Sequence, residues 1–199
     1  MFYGKLNDWK IQYVKLKCKA LELYGTDEAI LVHPNDRKAL FGFMKSERFK
    51  LIPHKEGRES GFVFLYSMHP LECWQSSQGT TITVFYQLGC HGLLPCSYIP
   101  LDKTINKAVW KNRYLKQDVF YMDLQEQMIF VLVQAIFHFK EFTPDLIHFI
   151  ETHSNVLENE EWQNKLRVVF FGFTERLLSL LKNRQYTAIV MEYITFQDY

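Results

Sequence analysis

The sequence predicts an α+β protein, with a small, mainly antiparallel sheet over about residues 50–100 packed against N-terminal and C-terminal helices. Two observations carry this prediction. On both sides of that region apolar residues recur at helical spacing, and within it short β-branched and aromatic runs alternate with Gly, Pro and Ser. No repeat or composition shift marks a linker, so we expect residues 1–199 to form one globular domain.

The N-terminal part is predicted to contain two helices. In the first, over residues 8–25, apolar residues recur at alternating steps of four and three: Trp9, Tyr13, Leu16, Ala20 and Leu23. Gly25 suits a left-handed helix end. The second helix is predicted over residues 35–49, where Asn35 or Asp36 can cap its first turn. The short apolar run at 28–34 fits either a strand or a helix.

The predicted sheet is built from four short runs, FKLIP, GFVFLYSM, TTITVFYQL and CSYIP. Their β-branched and aromatic content and their Gly, Pro and Ser boundaries are typical of strands. The polar segment SMHPLECWQSSQG, residues 67–79, is predicted to be a surface loop between two of them.

The C-terminal part is predicted to be helical. Residues 118–142 are apolar on almost every side, which indicates a buried helix. Thr143 and Pro144 mark the start of a helix over 143–153, and residues 158–185 form a long third helix with acids in its first turn. Residues 186–196, YTAIVMEYITF, have strand-like composition, so they either add a strand to the sheet or continue the helix.

Composition favours a soluble cytoplasmic protein. The N-terminus lacks the charged start and apolar run of a signal peptide, and the cleanest apolar run, MIFVLV, is far short of the roughly 20 residues that span a bilayer. Four cysteines without an export signal suggest reduced thiols. We therefore predict no membrane span.

The stretch GCHGLLPCSYIP, residues 89–100, places Cys90 and Cys96 near His91. Its spacing is too wide for a zinc knuckle, and neighbouring strand residues point to opposite faces, which separates Cys90 from His91. The favoured interpretation is a tight bend with two buried thiols. The alternative is a cysteine-dependent enzyme that uses Cys90 or Cys96.

Other catalytic and metal-binding patterns are absent from the sequence. It has no phosphate-binding or dinucleotide-binding glycine motif, no nucleophile elbow and no H-E-x-x-H zinc motif. His148 and Glu151 share a helix face, but matching ligands from other helices are missing. We therefore predict a protein that is not an enzyme and has no cofactor and no metal.

The basic stretch KTINKAVWKNRYLK, residues 103–116, is the best candidate site. If it is helical, Lys103, Lys107 and Lys111 lie on one side, with Trp110 and Tyr114 on a neighbouring side and Arg113 close by. Such a surface can meet an acidic protein or hold nucleic-acid phosphates. The alternative is a solvated face that offsets the acidic segment at 141–161.

Two further features favour a protein partner. Net charge is only +1, which gives no overall electrostatic field that would attract nucleic acid. The 32 aromatic residues (Phe 17, Tyr 11, Trp 4) are of the kind that protein interfaces favour, although a bulky core is the alternative explanation for them. We predict a non-catalytic interaction module: an adaptor, chaperone or assembly subunit of a hetero-complex, such as a secretion or replication apparatus. The alternative is a nucleic-acid-binding accessory protein that uses residues 103–116.

Overall fold

The structure is a computed structural model, and it describes residues 2–17, 27–52, 71–91 and 98–197. Its helices are α1 Phe2–Asp8, α2 Arg37–Ser46, α3 Lys103–Asn112, α4 Leu124–Val133, α5 Pro144–Thr152, α6 Glu160–Phe170, α7 Thr174–Lys182 and α8 Tyr186–Gln197. A π-helical segment, Gln134–Phe139, continues α4. Within these residues no helix has the length and apolarity to cross a membrane.

Within the described ranges, one sheet contains seven strands in the order β3-β4-β5-β2-β1-β9-β8. Their bounds are β1 Tyr13–Lys15, β2 Glu28–Val32, β3 Lys50–Ile52, β4 Leu71–Gln75, β5 Thr81–Phe85, β8 Tyr114–Lys116 and β9 Val119–Tyr121. The β2–β5 and β1–β9 pairs are parallel, and the others are antiparallel. A separate antiparallel pair joins β6 Gly89–His91 to β7 Tyr98–Pro100.

The sheet separates two hydrophobic cores, because alternate residues of a strand point to opposite faces. In β2, Ala29 and Leu31 join the core formed with α3–α8, whereas Ile30 and Val32 join the core formed with α1 and α2. A strand covered on both faces needs apolar residues throughout, which explains the uninterrupted run AILV. Residues 28–32 are therefore a central strand, the alternative that the sequence left open.

The mixed α and β character is confirmed, but the small, mainly antiparallel sheet over residues 50–100 is wrong. The sheet also draws strands from residues 13–15, 28–32 and 114–121, and two of its pairings are parallel. The predicted helix over 8–25 is wrong at residues 13–15, where Tyr13 pairs with Val32 in an antiparallel ladder. Residues 18–26 lie outside the described residues, as do 53–70, which include the predicted strand GFVFLYSM.

Three other elements differ from the prediction. The predicted loop over 67–79 contains β4, whose Cys73 and Trp74 are buried between β3 and β5. The predicted helix over 118–142 begins with β9, and the one over 158–185 breaks at Phe171–Phe173 into α6 and α7. The possible C-terminal strand at 186–196 is wrong, because these residues form α8, with Tyr186, Ile189 and Val190 buried against neighbouring helices.

Candidate partner-binding surface

Helix α3 is fixed against the sheet in a way that determines its outward face. Asp102 caps its start by accepting a hydrogen bond from the Thr104 backbone N–H at 2.7 Å. The Asn106 side-chain amide accepts from the Leu88 N–H and donates to the Leu101 carbonyl, both at 2.8 Å. Ile105 and Val109 are buried beneath the helix. The side of α3 that carries Ile105, Asn106 and Val109 is thus fixed against the protein, and the opposite side points to solvent.

That opposite face carries the three predicted lysines, Lys103, Lys107 and Lys111, which we call the lysine face. At about 100° per residue they span an arc of about 80°, and the arc faces away from Ile105 and Val109. All three side chains are exposed, and none forms an ion pair with any residue that the structure describes. The lysine face therefore presents three positive charges to solvent, and no carboxylate of the described residues lies within ion-pair distance of them.

The acidic segment at 141–161 does not neutralise the lysine face. Three of its six carboxylates pair instead with cations of α6, α7 and the α7–α8 connection: Glu161 with Lys165 at 3.2 Å, Glu158 with Lys182 at 2.9 Å, and Glu151 with Arg184 at 3.5 Å. No ion pair in the described chain joins this segment to α3. The two charged regions are therefore separate features of the surface.

The aromatic half of the predicted site is built into the protein body. Trp110 is half-buried, with its ring 5.0 Å from that of His33. The Arg113 guanidinium lies 4.7 Å from the Phe120 ring centroid and 5.8 Å from that of Trp110. Trp110 and Arg113 thus fasten the end of α3 to the sheet, and they are not available as an open surface for stacking bases.

Tyr114 also lies away from the lysine face, because α3 ends at Asn112 and Tyr114 begins β8. Its ring stacks on Tyr121 at 5.8 Å. The Lys17 ammonium lies 4.9 Å from the ring centroid of Tyr114 and donates a hydrogen bond to its hydroxyl oxygen. The predicted site therefore separates into an exposed part, the lysine face, and a structural part formed by Trp110, Arg113 and Tyr114.

Sequence reasoning missed Leu115, which is 57% exposed in β8 next to the exposed Lys116. The two-residue turn to β9 has positive φ at both Gln117 (50°) and Asp118 (60°), as in a type I′ hairpin. The signal was available in YLKQDVFY, two short alternating runs around a turn, but the preceding helical pattern masked it. Leu115 is thus an exposed apolar residue three positions after the end of α3, and it is a candidate for a second element of a docking surface.

The cysteine-dependent alternative can be compared with only part of the structure, because the thiols of Cys90 and Cys96 lie outside the described residues. Cys73 is buried, and burial raises the pKa of its thiol, opposed by a hydrogen bond with Thr83. A thiol in this state is a weak nucleophile. Cys90 lies in β6 opposite Ile99, but its side chain and all of Cys96 are outside the described residues.

The described ranges contain no group of three or more His, Cys, Asp and Glu side chains that could hold a metal ion. His148 is exposed, and the Glu151 carboxylate accepts a hydrogen bond from the Tyr186 hydroxyl at 3.3 Å. Glu151 thus serves the packing of α5 against α8.

Comparison with known proteins gives no family assignment. No protein-family model matches this chain, and no curated protein matches it. Function therefore has to be argued from the surface itself.

Proposed function

We propose that this protein is a non-catalytic interaction module of the cytoplasm, an adaptor or assembly subunit that docks on an acidic partner protein through the lysine face. The observation that carries the proposal is that Lys103, Lys107 and Lys111 share one exposed helix face and form no ion pair with any described residue, whereas several other cations are paired. Lys5, Lys15, Arg37, Lys165, Arg167, Arg176, Lys182 and Arg184 all contact a carboxylate. Three neighbouring positive charges on one exposed helix face can steer an acidic surface into register.

The mode of docking follows from the elements around α3. Strand β8 has only three residues and ends in Lys116, and short lysine-bearing strands resist pairing with another chain. We therefore assign the contact to the helix surface, with Leu115 as its apolar component, and not to strand addition. Because Trp110 and Tyr114 are engaged internally, a protein partner fits this surface better than single-stranded nucleic acid.

The test compares two triple variants with the same loss of charge. One is Lys103→Gln/Lys107→Gln/Lys111→Gln. The matched control, Lys5→Gln/Arg176→Gln/Lys182→Gln, removes three exposed cations that pair with Glu47, Glu192 and Glu158. Each is used with the wild type in nuclease-treated affinity purification from the producing cells. A partner retained by the wild type and the control should be lost, or weakened about tenfold, with the lysine-face variant.

Salt dependence and an added oligonucleotide separate the outcomes. Binding to the recovered partner should weaken as salt rises, and more for the wild type than for the lysine-face variant. Equal recovery by both triple variants, or recovery of the wild type alone as a monomer, contradicts the proposal. A parallel wild-type purification without nuclease is the comparison: a complex recovered there but lost after nuclease treatment, with salt-sensitive binding to a thymidine 20-mer, favours the nucleic-acid alternative instead.

A further inference from the structure

A pocket of about 420 Å³ lies between the end of the π-helical segment, α5 and the start of α8. This volume falls in the range of small-molecule sites, which is about 300–1,000 Å³. The pocket is formed by different residues from the lysine face, so its function is a separate question from partner docking.

One wall of the pocket is apolar. It is formed by Phe142, Ile147, Val190 and Met191, of which Met191 is 64% exposed at the rim. The Phe142 ring lies 5.3 Å from that of Tyr186, whose hydroxyl is held by Glu151. These contacts fix one wall before any ligand enters, which lowers the entropic cost of binding.

Among the residues that line the pocket, cations outnumber acids by one. Lys140 and Arg184 are exposed cations at its edge, and Glu141 is the acid among its lining residues. Lys140 forms no ion pair in the described chain, whereas Arg184 pairs with Glu151 (Nε–Oε1 3.5 Å), a carboxylate that lies outside the lining. Burial and the nearby Glu151 carboxylate raise the pKa of Tyr186 to about 12, so this tyrosine adds no negative charge near neutral pH.

We infer that the pocket binds a small monoanion with an apolar body, its carboxylate near Lys140 and Arg184 and its chain along Phe142, Val190 and Met191. Two sources offer this chemistry: a free aliphatic acid, and the C-terminal residue of a peptide when that residue is apolar. Either places its charge beside the two cations and its carbon chain against the apolar wall. Apolar burial supplies affinity, and the charged pair selects the acid over a neutral analogue.

The first experiment measures binding of octanoate, hexanoate and octan-1-ol by ligand-observed NMR and calorimetry on the full chain. Octanoate should bind, each methylene removed should weaken the affinity up to about fourfold, and the alcohol should bind at least tenfold more weakly. N-acetylleucine represents the peptide source, and its affinity relative to octanoate identifies which source fits better. Absence of binding by both acids, or equal binding of alcohol and acid, overturns the inference.

Two variants locate the site. Lys140→Gln/Arg184→Gln should reduce the affinity for the better acid about tenfold while leaving octan-1-ol unchanged. Met191→Glu, at an exposed rim position, should repel the acid without disturbing the core. Lys182→Gln is the matched control, since Lys182 is an exposed cation that pairs with Glu158 and does not line the pocket. Unchanged acid binding in the double variant, with correct folding shown by circular dichroism, contradicts the assignment.

Discussion

At the scale of single residues, Glu126 in the first turn of α4 is a fully buried carboxyl group. Its side chain is 0% exposed, and its Oε1 accepts hydrogen bonds from Lys165 Nζ at 2.9 Å and from Asn112 Nδ2 at 3.2 Å. Its Oε2 has no hydrogen-bond partner in the described chain. Burial raises the pKa of Glu126, and Lys165 opposes that shift. Lys165 is therefore the counter-charge that favours the ionised form of this buried carboxyl group.

Removing that cation should be costly. We expect Lys165→Met to lower the free energy of unfolding by about 3–5 kcal/mol, because it leaves a buried carboxylate without its counter-charge. The double variant Glu126→Gln/Lys165→Met should recover part of the loss, since no charge then remains buried. Urea unfolding of both variants measures this, and a Lys165→Met loss below about 1 kcal/mol would show that Glu126 does not need its partner.

At the scale of elements, the break between α6 and α7 is the main local irregularity. Phe171 has φ 46° and ψ −128°, a backbone conformation that glycine adopts easily and other residues do not. Its side chain is 76% exposed, whereas Phe170 and Phe173 on either side are buried. An Arg167–Glu175 ion pair at 2.7 Å spans the break. The burial of the two flanking rings thus holds Phe171 in a strained turn.

This strain gives a stability prediction. Phe171→Gly should unfold at a higher urea concentration than Phe171→Ala, with a difference in free energy of unfolding of about 1 kcal/mol. Both variants remove the exposed ring, but only glycine lacks the Cβ that makes this φ unfavourable. Equal stability of the two variants would mean that the backbone relaxes without cost at this position.

At the scale of the whole molecule, the central sheet links the two cores. Alternate residues of β2 enter different cores, and Phe120 packs against both. Neither core can lose β2 and remain covered, so the two are expected to unfold together. Residues 1–199 thus remain predicted to be a single domain.

Tryptophan fluorescence can test this cooperativity, because Trp162 is buried in one core and Trp74 in the other. Trp9→Phe/Trp74→Phe leaves Trp110 and Trp162 as reporters of the core formed with α3–α8. Trp110→Phe/Trp162→Phe leaves Trp9 and Trp74 as reporters of the core formed with α1 and α2. In each double variant the fluorescence midpoint in urea should coincide with the far-ultraviolet circular dichroism midpoint. Midpoints that separate in either variant would indicate two independently unfolding units.

The aromatic content shows how far composition alone can lead. Among aromatic side chains that the structure describes, Trp9, Phe41 and Phe171 are exposed, and the others are buried or half-buried. Most described rings therefore fill two cores, which is the bulky-core alternative. The proposed partner is supported instead by the charges of Lys103, Lys107 and Lys111, which form no ion pair with any described residue. Composition cannot reveal this property, because ion pairing depends on which helices are neighbours.

The sequence by itself determined the features that depend on local chemistry. Thr143 accepts from the Leu146 N–H at 3.5 Å with Pro144 in the first turn, as the cap signal predicts. The strand at 81–85 and the helical lysines of α3 follow equally from short-range pattern. These features need only neighbours within a few residues, so the tertiary structure does not override them.

Only the tertiary structure decided the others. Tyr13–Lys15 is too short to show a period of two, and it is a strand because β2 and β9 lie on either side of it. Residues 186–197 have strand-like composition, but no described strand pairs with them, and they pack as a helix against the core of α4–α7. In both cases long-range neighbours satisfy the backbone and cover the side chains, and those neighbours outweigh the local preference.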